Sequence, residues 1–146
     1  MRNILVAVDF SDVTPALVQV SGEIARAMGA ELCLVHAAAP DPDFVGYEAG
    51  PESVRKNVAR GIHGEHEAIR ELENRLREGG LSVKSMLVRG PAAEKVLAES
   101  DRLKADLIVI GSHGHGALRH LLMGSVGEGV LRKARCPVLV VPSPRK

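Results

Sequence analysis

The chain has 146 residues, 45% hydrophobic and 25% charged, with a formal net charge of +1, the proportions of one globular domain with room for a single core. Near-neutral charge leaves no electrostatic footprint for DNA or an anionic membrane, and aromatics at 2% with no Trp leave no stacking platform for single-stranded nucleic acid. No apolar run approaches the roughly 18 residues of a membrane-spanning helix, and the opening MRNILVAVDF turns acidic too soon for a signal peptide, so the expected location is the cytoplasm.

The first element is NILVAVD, residues 3–9, a continuous apolar run that suits a strand buried on both faces and ends on Asp9. In the following FSDVTP, Thr14 is placed to cap a helix. Pro15 suits that helix's first position, because Pro lacks the N–H that a helix start leaves unpaired. Leu17, Val20, Ile24 and Ala27 recur at helical spacing until Gly29. AELCLVHA, residues 30–37, reads as a second buried strand. Residues 38–53 carry three prolines, two glycines and four acids and are expected to form a loop.

A charged helix follows over roughly 54–78, with Ile62, Ile69, Leu72 and Leu76 as its apolar stripe. Glu67, Arg70, Glu71, Glu73, Arg75 and Arg77 read as its solvated face, and Gly79-Gly80 stops it. LSVKSMLVRG alternates into a third strand. Gly90 and Pro91 open a helix carrying Val96, Leu97 and Leu103, and ADLIVIG is the fourth strand. A helix near 125–135 and the strand CPVLVVP close the chain. Cys33 and Cys136 lie within apolar runs and read as buried thiols in a reducing compartment.

Strands alternating with helices, with no internal repeat or second domain, predict a single α/β domain over 1–146: a doubly wound parallel sheet with helices on both faces. Ligands of such sheets bind beyond the carboxyl ends of the strands, where the strand order reverses. Those ends carry Asp9, Phe10 and Ser11; His36 and Ala37; Arg89 and Gly90; and Gly111 and Ser112. GSHGHGALRHLLMGS, residues 111–125, follows the fourth strand with glycines at 111, 114, 116 and 124. It matches neither the P-loop nor the dinucleotide fingerprint. Glycine lets backbone approach a ligand closely, and the helix that starts at Gly124-Ser125 offers unpaired N–H groups to a phosphate. A second reading stands beside it: Ser125 and Glu128 form an S-x-x-E capping box that needs no ligand.

The pattern G111-S-H-G114, nine residues, G124-S125 resembles the G-2x-G-9x-G-[S/T] signature of nucleotide-binding universal stress proteins. ILVAVDFSD resembles that family's opening strand and turn. GPAAEKVLAESDRLKADLIVIGSHGHG resembles its third helix and fourth strand, and LLMGSVGEGVLRKARCPVLVVP its closing helix and strand. The likeness runs nearly end to end and fails only over 38–60. It implies a five-stranded sheet ordered 3-2-1-4-5 that binds ATP at its carboxyl edge, with a divalent cation such as Mg2+ or Mn2+. Carried over by residue, Asp9 contacts the adenosine side, Ala37 lines the adenine pocket and Gly111 lies near the ribose. Gly114, Gly124, Ser125 and Val126 hold phosphates, mostly through backbone N–H groups. The resemblance also implies a homodimer joined through the last strand, Val138–Val141, and a nucleotide-responsive regulatory role in stress response.

Ser11, beside Asp9, joins the candidate set. Arg119 is placed either to meet a terminal phosphate or to be plain surface. His113, His115 and His120 lack a Cys or acid at ligand spacing, so no protein metal site is expected; they read as loop histidines or as partial neutralisers of phosphate. His36 reads as a hydrogen-bonded core histidine. Gly127 and Gly129, inside the closing helix, cost roughly 1 kcal/mol each against Ala; they either ease approach to phosphate or fray the helix start. A phospho-receiver would need an acceptor Asp and a Lys where this chain has Val88-Arg89 and Val141-Pro142, and a flavin site would need aromatics. No catalytic residue is assigned, because Asp9 falls on the adenosine side and Glu128 in the cap. Besides the ATP-binding module, a slow ATPase switch and a nucleotide-free adaptor acting on a protein partner stay open.

Overall fold

The computed structural model describes residues 1–39, 52–113 and 123–144. In chain order the elements are β1 (Asn3–Ala7), α1 (Thr14–Met28), β2 (Glu31–Ala38), α2 (Glu52–Glu78), β3 (Val83–Arg89), α3 (Ala92–Leu103), β4 (Leu107–Gly111), α4 (Ser125–Lys133) and β5 (Val138–Val141). The five strands form one parallel sheet in the order β3-β2-β1-β4-β5. Both the fold class and the strand order are as expected, and the order reverses between β1 and β4.

Continuous apolar strands are explained by what covers each face. Ile4, Val6, Leu32, Leu34 and Val109 pack with Leu17 and Ala25 of α1 and Ile69 and Leu72 of α2. Leu5, Cys33, Val35, Ile108 and Ile110 turn the other way, toward Val96 of α3 and Val130 of α4. Each Val, Leu or Ile side chain among them, once fully buried, stabilises the fold by roughly 1.5–3 kcal/mol. Cys33 lies in this second layer, and burial pushes its thiol up to about 11. Cys136 is only half-buried, with Sγ 3.8 Å from Ser100 Oγ, so the expectation of a buried thiol is met at Cys33 alone. Neither cysteine is in a disulfide.

Several local readings are corrected. Thr14 does not cap α1: Val13 occupies the cap position without a side-chain hydrogen bond, and Thr14 is the first helical residue. The buried line of α1 is Leu17, Ser21 and Ala25 with Gly22, while Ala27 is exposed. Gly22 lies close under Leu81, where a Cβ would come within 3.3 Å of its Cδ1. Gly29 ends α1 in the left-handed region, as expected, at φ 62. On α2, Ile69 and Leu72 are buried and Leu76 packs at the margin, whereas the Ile62 side chain lies outside the described residues. Glu73 is no solvated residue: its side chain, 13% exposed, pairs with Arg77 at 2.6 Å and accepts a hydrogen bond from Ser85 Oγ. Arg77 Nε also donates to the Val83 carbonyl at 2.8 Å. These polar bonds stitch α2 to β3, an edge strand whose side chains are mostly half-buried.

The amino edge is closed by Asp106, whose Oδ2 accepts the N–H groups of Arg2 at 2.7 Å and Asn3 at 2.9 Å. The Asn3 and Arg2 N–H groups hold its carboxyl below the usual range. Asn3 Nδ2 donates onward to the Leu103 carbonyl at 3.0 Å. No helix among the described residues is long and apolar enough to cross a membrane.

Candidate functional site

The β1 ladder continues past its last strand residue, with Val8 N–H bonded to the Val35 carbonyl at 2.9 Å. The chain then breaks away at Asp9. Asp9 Oδ1 accepts the Ser11 N–H at 3.0 Å and the Ser11 hydroxyl at 2.6 Å, an Asx turn that fixes the carboxylate at the carboxyl edge. Ser11 thus acts on Asp9 and is itself buried. Asp9 Oδ2 takes no hydrogen bond among the described residues. Phe10, between them, has φ 58, a left-handed backbone that non-glycine residues rarely adopt.

At the end of β2, His36 is buried, and its Nδ1 lies 2.7 Å from the Val8 carbonyl oxygen. The Phe10 ring meets the imidazole edge-on, with centroids 4.9 Å apart at 63°. The expected hydrogen-bonded core histidine is therefore present. Ala37 follows, half-buried and in register with Val88 of β3.

On the other lip, Gly111 ends β4. A Cβ at this position would stand 2.7 Å from Val13 Cγ1, so glycine lets the end of β4 close against the start of α1. Ser112 comes next and is buried. Its N–H donates to the Val141 carbonyl at 2.8 Å, its Oγ accepts the Ser143 N–H at 3.0 Å, and its carbonyl accepts the Gly124 N–H at 2.8 Å. His113 Nδ1 lies 3.1 Å from the same Oγ. Ser112 therefore clamps the start of the glycine segment, its end, and the chain beyond β5. The sequence places Ser112 at the end of the fourth strand but assigns it no role, because its only local signal is a small hydroxyl residue after a strand.

α4 opens differently from the expected capping box. Gly124 is the cap, at φ −74 and ψ 166, and Ser125 is already the first helical residue. Glu128 accepts Arg132 Nη2 at 2.6 Å instead of reaching back to the cap. The box is lost because Ser125 sits one position too far into the helix. Among the described residues the Ser125, Val126 and Gly127 N–H groups consequently take no cap bond, and Ser125 and Val126 are exposed. The unpaired N–H groups and the helix dipole favour an anion there.

Gly127 and Gly129 have packing reasons. A Cβ at Gly129 would lie 3.0 Å from Ala93 Cβ on α3, and one at Gly127 would meet Met123 Sδ and approach Ile110. Gly114, His115, Arg119 and His120 lie outside the described residues. Among the described residues no three metal-ligating side chains gather.

The edge therefore presents a carboxylate with one unpaired oxygen beside β1 and an uncapped helix start beyond β4. The first suits a hydroxyl or amine donor; the second suits a phosphate. Comparison with known proteins agrees with the architecture. The profile of the Universal stress protein family matches residues 1–142. The Thermus aquaticus universal stress protein in the QAH/OAS sulfhydrylase 3'region is 37% identical over 140 residues, covering 96% of this chain and 98% of the relative. The solved structure of MJ0577 from Methanocaldococcus jannaschii superposes with a TM-score of 0.85 at 25% identity, covering 99% of this chain and 98% of that one. A universal stress protein solved in complex with cAMP superposes with a TM-score of 0.72 at 26% identity, over 98% of both chains.

Proposed function

The chain belongs to the Universal stress protein family, and from that premise we propose that it binds ATP at the carboxyl edge of its sheet and works as a nucleotide-responsive regulatory module. The observation that carries the reading is the start of α4. Its N–H groups lack a cap, and the Ser112–Gly124 bond of 2.8 Å holds them beside the end of β4. The cAMP complex of a related protein supports an adenine nucleotide as the ligand class.

In this reading Asp9 receives the adenosine side through Oδ2, Ala37 lines the adenine and Gly111 lies near the ribose. Gly124, Ser125 and Val126 receive phosphate oxygens on their N–H groups. With no cluster of metal-ligating side chains among the described residues, Mg2+ or Mn2+ would be held chiefly by the phosphates and water. The dimer belongs to the same proposal. β5 pairs only with β4 among the described strands, so its outer edge presents unpaired backbone, with exposed Leu131 of α4 nearby in sequence. A second copy would cover that edge and let the nucleotide state influence partner docking.

The test is to denature freshly purified protein and identify released nucleotide by chromatography and mass. ATP near one per chain is the expected result. An empty protein that ATP and Mg2+ also fail to stabilise thermally overturns the reading in favour of a nucleotide-free adaptor.

A further inference from the structure

We infer that His36 is a positioning residue for the adenosine end of the site, holding Asp9 by gripping the residues on either side of it. The inference rests on the nucleotide-binding reading above. His36 shares its sheet face with Leu32 and Leu34, which are fully buried and aliphatic. Only at the carboxyl edge does this face of β2 change to a titratable ring.

The ring is held in one tautomer. The Val8 carbonyl can only accept, so the 2.7 Å contact requires Nδ1 to carry the proton. That bond fixes the peptide unit just before Asp9. The ring edge meets Phe10 just after Asp9, at 4.9 Å between centroids. Phe10 is held at φ 58, a conformation that needs surrounding structure to maintain it. Between these two held residues, Asp9 keeps Oδ1 on Ser11, and its Oδ2 takes no hydrogen bond among the described residues.

The other side of the ring carries an unmatched polar atom. Nε2 is buried and lacks a hydrogen-bond partner among the described residues. Glu65 Oε1 of α2 stands 3.6 Å away, within ion-pair reach and beyond a hydrogen bond. A leucine, as at the two preceding positions on this face, would remove the unmatched Nε2 but would also take away the N–H that the Val8 carbonyl accepts. What leucine could not supply is the Nδ1 proton that anchors Val8.

The experiment measures adenosine and ATP affinities by calorimetry, with melting temperatures alongside, for wild type, His36→Leu, His36→Asn and Phe10→Leu. Asparagine places an N–H close to where Nδ1 stands. His36→Leu should weaken adenosine and ATP by the same factor, about tenfold, while staying folded at the assay temperature. His36→Asn should recover most of that loss, and Phe10→Leu should show a smaller loss, also equal for the two ligands. If His36→Leu does not fold, the other two variants carry the same test. Undiminished adenosine affinity in the variants, a loss confined to ATP, or asparagine no better than leucine would each overturn the positioning role. Wild-type protein that binds neither ligand would instead overturn the nucleotide reading, and this inference with it.

Discussion

The two ends of the sheet are built on opposite plans. At the amino edge polar groups are matched: Asp106 takes the Arg2 and Asn3 N–H groups, Asn3 reaches Leu103, and the Asp106 N–H bonds the Asn3 carbonyl at 2.8 Å. At the carboxyl edge several are left over among the described residues. Thr14 Oγ1 and His36 Nε2 are buried without partners, Asp9 Oδ2 takes no hydrogen bond, and α4 starts without a side-chain cap. Phe10 adds a strained backbone to the same edge. The two buried groups without partners cost roughly 1–3 kcal/mol each, and in the proposed reading they belong to the end that receives the ligand. The contrast is between an end whose polar groups bond one another and an end where some do not.

The largest expected effect tests the receptive end. Gly124 has an extended backbone that any residue can adopt, so Gly124→Val should leave the fold intact. It should weaken ATP binding by about a hundredfold or more through obstruction of the helix start, as read by calorimetry. Unchanged affinity would break the comparison outright.

The next effect concerns the side edge. Leu139→Glu, in β5, should yield monomer in sedimentation experiments or, because Leu139 also packs against the core, insoluble protein. An intact dimer would move the interface away from this strand.

Gly111→Ala falls at the carboxyl edge but tests packing. The new Cβ would stand 2.7 Å from Val13 Cγ1, and unfolding in urea should show a loss of about 1–3 kcal/mol. A neutral result would mean that the turn before α1 yields easily.

The smallest effect sharpens the contrast from the amino edge. Because the folded Asp106 carboxyl titrates below its ordinary value, its ionised form stabilises the protein above the unfolded pKa of about 3.9. That contribution is lost as pH falls through the folded value. Asp106→Asn should therefore lower the melting temperature at neutral pH, with the gap to wild type closing in acid. Its ATP affinity should not change. An affinity loss would mean that the two ends are not independent.

How far the site could be read from the chain depended on the range of each interaction. Asp9 at a strand end and the glycines after β4 were visible, because apolar runs and turn residues are local patterns. Ser125 shows where local pattern misled: S-x-x-E is a good capping box on paper, yet the helix begins one residue earlier. The Ser112 carbonyl holds the Gly124 N–H, which brings Gly124 to the cap. Glu73 was assigned to solvent for a similar reason, since nothing near it on α2 announces Ser85 on another strand.

The sequence by itself determined the succession of strands and helices, because a strand covered on both faces must be continuously apolar and the helices between must be amphipathic. Its resemblance to a family supplied the strand order and the place to look for a ligand. Tertiary structure alone decided which groups at that place are already satisfied. Ser11 takes one oxygen of Asp9, Val8 takes the Nδ1 proton of His36, Val13 accounts for Gly111, and Ala93 accounts for Gly129. Hydrogen bonds and close packing are settled by competition among groups that folding brings together, and most of those groups lie far apart in the chain.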